Sequence, residues 1–215
     1  MLDYLSSPMR WCESLDGNIF IYSNYIVEFW NSLTSLSFCL FAIYGWYNHK
    51  ELQLDNIPWI FLFIIGITST WFHVSLSLMG QFCDELSIIL LISYCLRIFF
   101  KVNKLMYYFL TILSISISLI YPSVSPPILL TIGLLLIPLT HNIIVDDDTK
   151  YLWDRGIIIG GVSILTWIFD FVCYFNTHMY WHILISMSAY YMILLIIRPE
   201  CKVSLDRSII PRWYN

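Results

Sequence analysis

Long apolar stretches separated by short polar breaks run along most of the chain. Apolar runs cover residues 26–48, 57–78, 82–100, 104–121, 126–145, 156–175 and 178–197, and the breaks fall at 56–58, Gly80, Asn103, 122–127, 146–148 and Asn176. A membrane-spanning helix needs about 20 predominantly apolar residues. The pattern therefore predicts an all-α integral membrane protein, a seven-transmembrane helix bundle over residues 26–197. An N-terminal segment, 1–25, precedes it and a C-terminal tail, 198–215, follows. The sixth run is the weakest, because Gly156, Gly160, Gly161 and Asp170 lower its helical and apolar character. The chain has no internal repeat.

Composition agrees with this pattern. Of 215 residues, 59% are hydrophobic and 12% charged, about half the charge of an average soluble domain, and the mean hydropathy is +0.72. Seven spans leave no length for a separate soluble domain. The formal net charge of −4 offers no basic surface to nucleic acid, so that class is excluded. Asp3, Arg10, Glu13 and Asp16 interrupt the first 25 residues, which lack the apolar core of a cleavable signal, so the N-terminus is expected to be retained. With seven spans, Arg10 stands alone on one side, and Lys50, Arg97, Lys101, Lys104, Lys150, Arg155, Arg198, Lys202, Arg207 and Arg212 lie on the other. Basic residues in short loops stay cytosolic. The N-terminus is thus expected to be lumenal or external and the C-terminus cytosolic.

Ionisable side chains at membrane depth cost several kcal/mol, on the order of 3 each, and mark functional positions by default. His73 near the end of the second span, Asp84 and Glu85 opening the third, and His178 and His182 opening the seventh all fall at the lumenal end of this topology. His178 and His182 are four residues apart, which on a helix stacks both imidazoles on one face. With His73 from another helix they form a His₃ set that leaves one tetrahedral position open, the pattern of a catalytic rather than a structural Zn²⁺ site. A single histidine in such a place is more often a hydrogen-bonded core residue. Three at one depth, two at helical spacing, favour a metal. His49 and His141 fall near the opposite ends and are expected to be ordinary core residues.

Ser69 precedes His73 by one helical turn and shares its face, and Asp84 follows across a short turn. A carboxylate beside an acidified water can take its proton and later deliver it to a leaving amine. Serine also packs between membrane helices for purely structural reasons, and both readings of Ser69 stay open. Glu85 points elsewhere and is expected to be a helix-start or structural carboxylate.

Trp11-Cys12-Glu13, Glu28-Phe29-Trp30-Asn31, Ser69-x-x-x-His73, Asp84-Glu85-Leu86 and His178-x-x-x-His182 together resemble the alkaline ceramidases, and the resemblance runs nearly the full chain. It implies a seven-helix membrane hydrolase that cuts the amide of ceramide into sphingoid base and fatty acid. It also implies His73, His178 and His182 as zinc ligands, Asp84 as the proton-transfer carboxylate and Ser69 as the residue near the oxyanion. The family carries a Ca²⁺ site on an Asp-Trp-Cys-Glu-x-Asn stretch and a glutamate opening the first span. Here Arg10 and Leu15 stand at the Asp and Asn positions while Trp11, Glu13 and Glu28 remain. Asn18 or Asp16 is the candidate replacement, and a salt bridge from Arg10 to Glu13 or Glu28 is the alternative to the ion.

The resemblance points to ceramide or a related sphingolipid as substrate, in an endomembrane such as the ER or Golgi. Two rivals stand beside the hydrolase: a receptor-like seven-helix zinc protein of the same superfamily, and a transporter. Such receptors usually carry a long cytosolic N-terminal domain and the reverse orientation. A transporter would need polar residues through the full membrane depth. The topology places Cys12 and Cys173 on the lumenal side, where disulfides persist; a bond between them is the expectation, two free thiols the alternative.

Overall fold

The computed structural model describes residues 6–15, 26–49, 55–100, 104–129, 131, 141, 146–173 and 175–198. A single-turn helix α1 (Cys12–Leu15) is followed by α2 (Phe29–His49), α3 (Ile57–Ser75), α4 (Leu78–Phe100), α5 (Lys104–Ile120), α6 (Asp147–Val172) and α7 (His178–Ile197). Among the described residues there is no strand, only an isolated bridge between Ser6 and Ser77. Most of the run at 126–145 lies outside the described residues.

Helix ends follow local chemistry. Pro58 sits in the first turn of α3, where a missing N–H is not needed. Leu76, at φ 44°, stops that helix in the left-handed region, uncommon for a non-glycine residue. Helix α6 begins at Asp147, nine residues before the expected start at 156. Asp146 Oδ1 accepts the Thr149 N–H at 2.7 Å while Thr149 Oγ1 accepts the Asp146 N–H at 3.1 Å, a reciprocal cap that turns an acidic break into a helix start. Helix α2 begins at Phe29 rather than 26, because the N–H groups of Val27 and Glu28 bond instead to the carbonyls of Val74 and His73.

Helices α3, α4, α6 and α7 are long and apolar enough to cross a membrane, and α5 is a shorter apolar helix. This is a membrane protein. Helix α2, at 21 residues, is long enough but less apolar, for a reason visible in its packing. Asn31, Ser32, Ser35 and Ser37 are buried while Leu33, Leu36, Leu40 and Ile43 are exposed. Its polar stripe faces the protein and its apolar stripe faces outward.

Helix α2 packs on α3 and α7, α3 on α4, α4 on α5, and α7 on α6, with α4 also reaching α7. An apolar core of Phe38, Ala42, Trp59, Leu62, Ile65, Leu91, Ile193, Leu194 and Ile197 joins α2, α3, α4 and α7. Helices α2 and α3 approach so closely at Gly66 that a Cβ there would lie 2.4 Å from Cys39 Sγ and 2.9 Å from its backbone nitrogen.

Candidate metal centre

The last turn of α3 carries His73, and the first two turns of α7 carry His178 and His182. All three are buried, at 1%, 1% and 0% exposure. Their rings lie 4.6–5.3 Å apart, and one ligand atom from each falls within 4.8 Å of the others.

The outer side of each imidazole is treated differently. His73 Nδ1 meets Glu28 Oε2 at 2.6 Å; a carboxylate accepts, so Nδ1 carries a proton. His182 Nδ1 meets Thr34 Oγ1 at 3.1 Å. The Thr34 hydroxyl donates to the Trp30 carbonyl at 2.7 Å, so it accepts from His182 Nδ1, while Nε2 of the same ring lies 3.5 Å from Ser35 Oγ. His178 Nδ1 is buried and meets no hydrogen-bond partner among the described residues. That ring instead stacks on Trp11, with centroids 3.7 Å apart and planes at 15°. Two imidazoles oriented by hydrogen bonds, and a third stacked on an indole, form a set of three nitrogen donors that could hold a metal ion.

Two other carboxylates brace this end of the bundle. Asp170, near the end of α6, accepts the N–H groups of Thr177 and His178 on Oδ1 and that of Cys12 on Oδ2, each at 3.0 Å. It therefore caps α7, whose own N-cap residue, Thr177, makes no side-chain cap. Glu13 accepts the N–H groups of Trp30 and Asn31 at 2.7 and 3.0 Å and caps α2 in the same way. Cys12 and Cys173 are joined by a disulfide, Cα–Cα 5.2 Å, which ties the N-terminal segment to the end of α6.

Burial raises the Glu13 carboxyl above its ordinary pKa, and the Glu28 charge adds to this against the two backbone bonds.

Ser69 is buried one turn before His73. Its hydroxyl lies 3.0 Å from Ser35 Oγ, which donates to the Asn31 carbonyl at 2.7 Å, so Ser69 donates to Ser35. Asp84 lies in α4, half-buried. Its Oδ1 is buried without a hydrogen-bond partner among the described residues, and it is not part of the three-histidine cluster. Glu85 is absorbed into a separate network, accepting from Ser118, Ser125 and Gln81 at 2.5–2.6 Å.

The candidate calcium ligands sit together, but as acceptors of hydrogen bonds. Each Glu13 oxygen holds a backbone N–H; Glu28 Oε1 accepts from Trp11 N–H and Ser14, and Oε2 from His73 and Asn31. The Trp11 carbonyl accepts the N–H and hydroxyl of Ser14. Ca²⁺ takes six to eight oxygens, and these described residues do not assemble them. Asn18 and Asp16 lie outside the described residues. Arg10 is exposed, and among the described residues it forms no ion pair with Glu13 or Glu28. The backbone turn at 10–15 aims Trp11 and Glu13 inward and leaves Arg10 outside.

The sequence alone did not single out Thr34, Ser35 or Asp170 as site residues, and it offered Trp11 only as part of the calcium stretch. A signal was present for Asp170, an acid in an apolar run. Thr34 and Ser35 share one helical face with Asn31.

The class is thus an all-helical membrane protein with a buried three-histidine cluster that could hold a metal ion. The profile of the family described as Ceramidase matches residues 3–207, and the chain belongs to that family. It is 26% identical over 217 residues to Alkaline ceramidase 1 of Homo sapiens, covering 87% of this chain and 81% of that protein. It is 28% identical over 219 residues to Alkaline ceramidase of Drosophila melanogaster, covering 88% and 76%. Alkaline ceramidase 3 of Mus musculus is 24% identical over 225 residues, covering 88% and 82%.

Proposed function

We propose that this protein is a zinc-dependent amidase that hydrolyses ceramide in the membrane to a sphingoid base and a free fatty acid. The observation that carries the reading is the convergence of His73, His178 and His182 in a chain of the ceramidase family. Bound by these three nitrogens, zinc supplies Lewis acidity toward the amide carbonyl and acidifies water. Asp84 takes the proton of the attacking water as its oxygen bonds to the carbonyl carbon. The same carboxyl returns that proton to the amide nitrogen as the C–N bond breaks. Ser69 turns its hydroxyl from Ser35 to the carbonyl oxygen as charge develops there. Glu28 and Thr34 orient the His73 and His182 rings, each accepting the proton on Nδ1.

The bundle completes seven spans when α2, α5 and the run at 126–145 are counted with the four strongly apolar helices. The excess of basic residues on one side supports a lumenal N-terminus and cytosolic C-terminus. The test is fatty-acid release from ceramide by purified protein in nanodiscs, with metal content measured on the same samples. His182→Ala is expected to lose both zinc and turnover, because a His₃ site has no spare ligand. Full turnover by metal-free protein would refute the reading.

A further inference from the structure

His178 differs from its two partners in what holds it. Glu28 fixes the His73 ring and Thr34 fixes the His182 ring through hydrogen bonds, whereas His178 Nδ1 has no such partner among the described residues. Rotation of an imidazole about its Cβ–Cγ bond is broad and roughly two-fold, so an unanchored ring loses its aim. Two indoles lie nearly parallel to it: Trp11 at 3.7 Å and 15°, and Trp181, one turn along α7, at 5.0 Å and 20°. We propose that Trp11 is the positioning residue of this third histidine, its stacked indole replacing the outer hydrogen bond that the other two ligands have. The inference rests on the His₃ metal reading above.

Trp11 is itself firmly placed. It is buried, and its ring packs on Trp167 and Phe171 of α6 at 6.0 and 5.8 Å. Its backbone N–H donates to Glu28 at 3.3 Å. The next residue is disulfide-bonded to Cys173 and donates its N–H to Asp170, the same carboxylate that holds the His178 N–H. Indole and imidazole are thus registered to each other through one side chain. Trp11 Nε1 makes no hydrogen bond among the described residues, so the indole presents its face to His178 and not a donor. An aromatic face also favours a ring that becomes more positive on coordination.

The test uses full-length protein loaded with Co²⁺, reading the ligand-field spectrum and the rate of Co²⁺ loss to excess chelator. Trp11→Leu keeps apolar bulk and removes the ring; Trp11→Phe keeps a ring. The Leu variant is expected to lose metal about tenfold faster, the lower end of the range for outer-shell changes, with an altered spectrum. The Phe variant is expected within about threefold of wild type, since a phenyl face still stacks. Where the Leu variant does not accumulate, Trp11→Met is read in its place. Cys12→Ser, which frees the tether, is expected to act in the same direction and to add little to Trp11→Leu, because both act on one contact. Wild-type loss rates in the Leu or Met variant overturn the proposal, as does a Phe variant as impaired as Leu, which would make Trp11 a packing residue. A wild type that takes up no Co²⁺ overturns the His₃ reading as well.

Discussion

Glu28→Gln is the most informative change near the centre, because it keeps size and removes one charge. The carboxylate accepts from His73 at 2.6 Å, Ser14 at 2.7 Å, Asn31 at 3.1 Å and Trp11 N–H at 3.3 Å. Converting the His73 bond from charged to neutral lowers its contribution by about 1 kcal/mol. The new amide N–H₂ must also face either the Trp11 and Ser14 donors or the Asn31 and His73 donors. At least one buried donor is then left unpaired at ~1–3 kcal/mol. Together these predict a loss of about 2–4 kcal/mol, which for a chain of this length lowers Tm by roughly 5–15 °C. Metal affinity is expected to fall about 10–100-fold as His73 loses its outer partner. Thermal unfolding in detergent and chelator-competition titration read the two quantities separately. Wild-type values in both would refute the orientation of His73 by Glu28.

Asp84→Asn is expected to retain stoichiometric zinc and to lose about 10²–10⁴-fold in turnover, because an amide cannot relay the proton; metal analysis beside ceramide hydrolysis checks this, and surviving activity would make Asp84 structural. Asp146→Ala removes the α6 cap and should lower stability by about 1 kcal/mol at neutral pH. The bonds to Thr149 hold the Asp146 carboxyl below its ordinary value of 3.8. Its contribution is therefore present above that value and lost as the pH falls through the lower folded value. The wild-type and Ala unfolding midpoints should converge in acid; an equal gap at all pH values would count against the cap. Ca²⁺ added to chelator-treated protein is expected to leave Tm unchanged in the wild type and in Arg10→Asp alike, since the oxygens of Glu13 and Glu28 already hold donors and residue 10 is exposed. A saturable rise in wild type would instead implicate Asp16 or Asn18.

The three histidines were legible because helical spacing and depth in the membrane are properties of one strand of text: 178 and 182 share a face wherever their helix goes. Their outer partners were not legible to the same degree. Thr34 and Glu28 act across 148 and 45 residues of chain, and nothing local distinguishes the Thr34 hydroxyl from one that merely back-bonds to its own helix, as it also does. Helix α6 was misjudged at its start because three consecutive aspartates read as a break, whereas the first of them is a cap and Thr149 completes it. Helix α2 illustrates the opposite effect. Its buried serines and asparagine make it less apolar because they face the protein interior, where Asn31 bonds to Glu28, Ser35 nears the His182 ring and Ser37 bonds to the His182 carbonyl.

The placement of the acids follows from electrostatics. Helices α2 and α7 both begin beside the histidine cluster, and a helix N-terminus carries roughly half a positive charge. Two such ends would disfavour a divalent cation beside them, and three neutral imidazoles would bring no negative charge to offset this. Glu13 sits on the first turn of α2 and Asp170 on that of α7, so each dipole end is covered by a carboxylate supplied from another element. Glu28 adds a third acid against His73. Removing a cap should therefore weaken metal binding even though neither acid belongs to the ligand set. Asp170→Asn tests this: the amide oxygen can still accept from Thr177 and His178, the charge is gone, and the Cys12 N–H loses its acceptor. Cys12→Ser, which breaks the disulfide of the same segment, is measured beside it as the control for a loosened N-terminal segment. Weaker Co²⁺ affinity that recovers toward wild type as salt is raised would not fit, because a buried carboxylate is screened little. A salt-independent loss of affinity with the α7 start intact is the expected result.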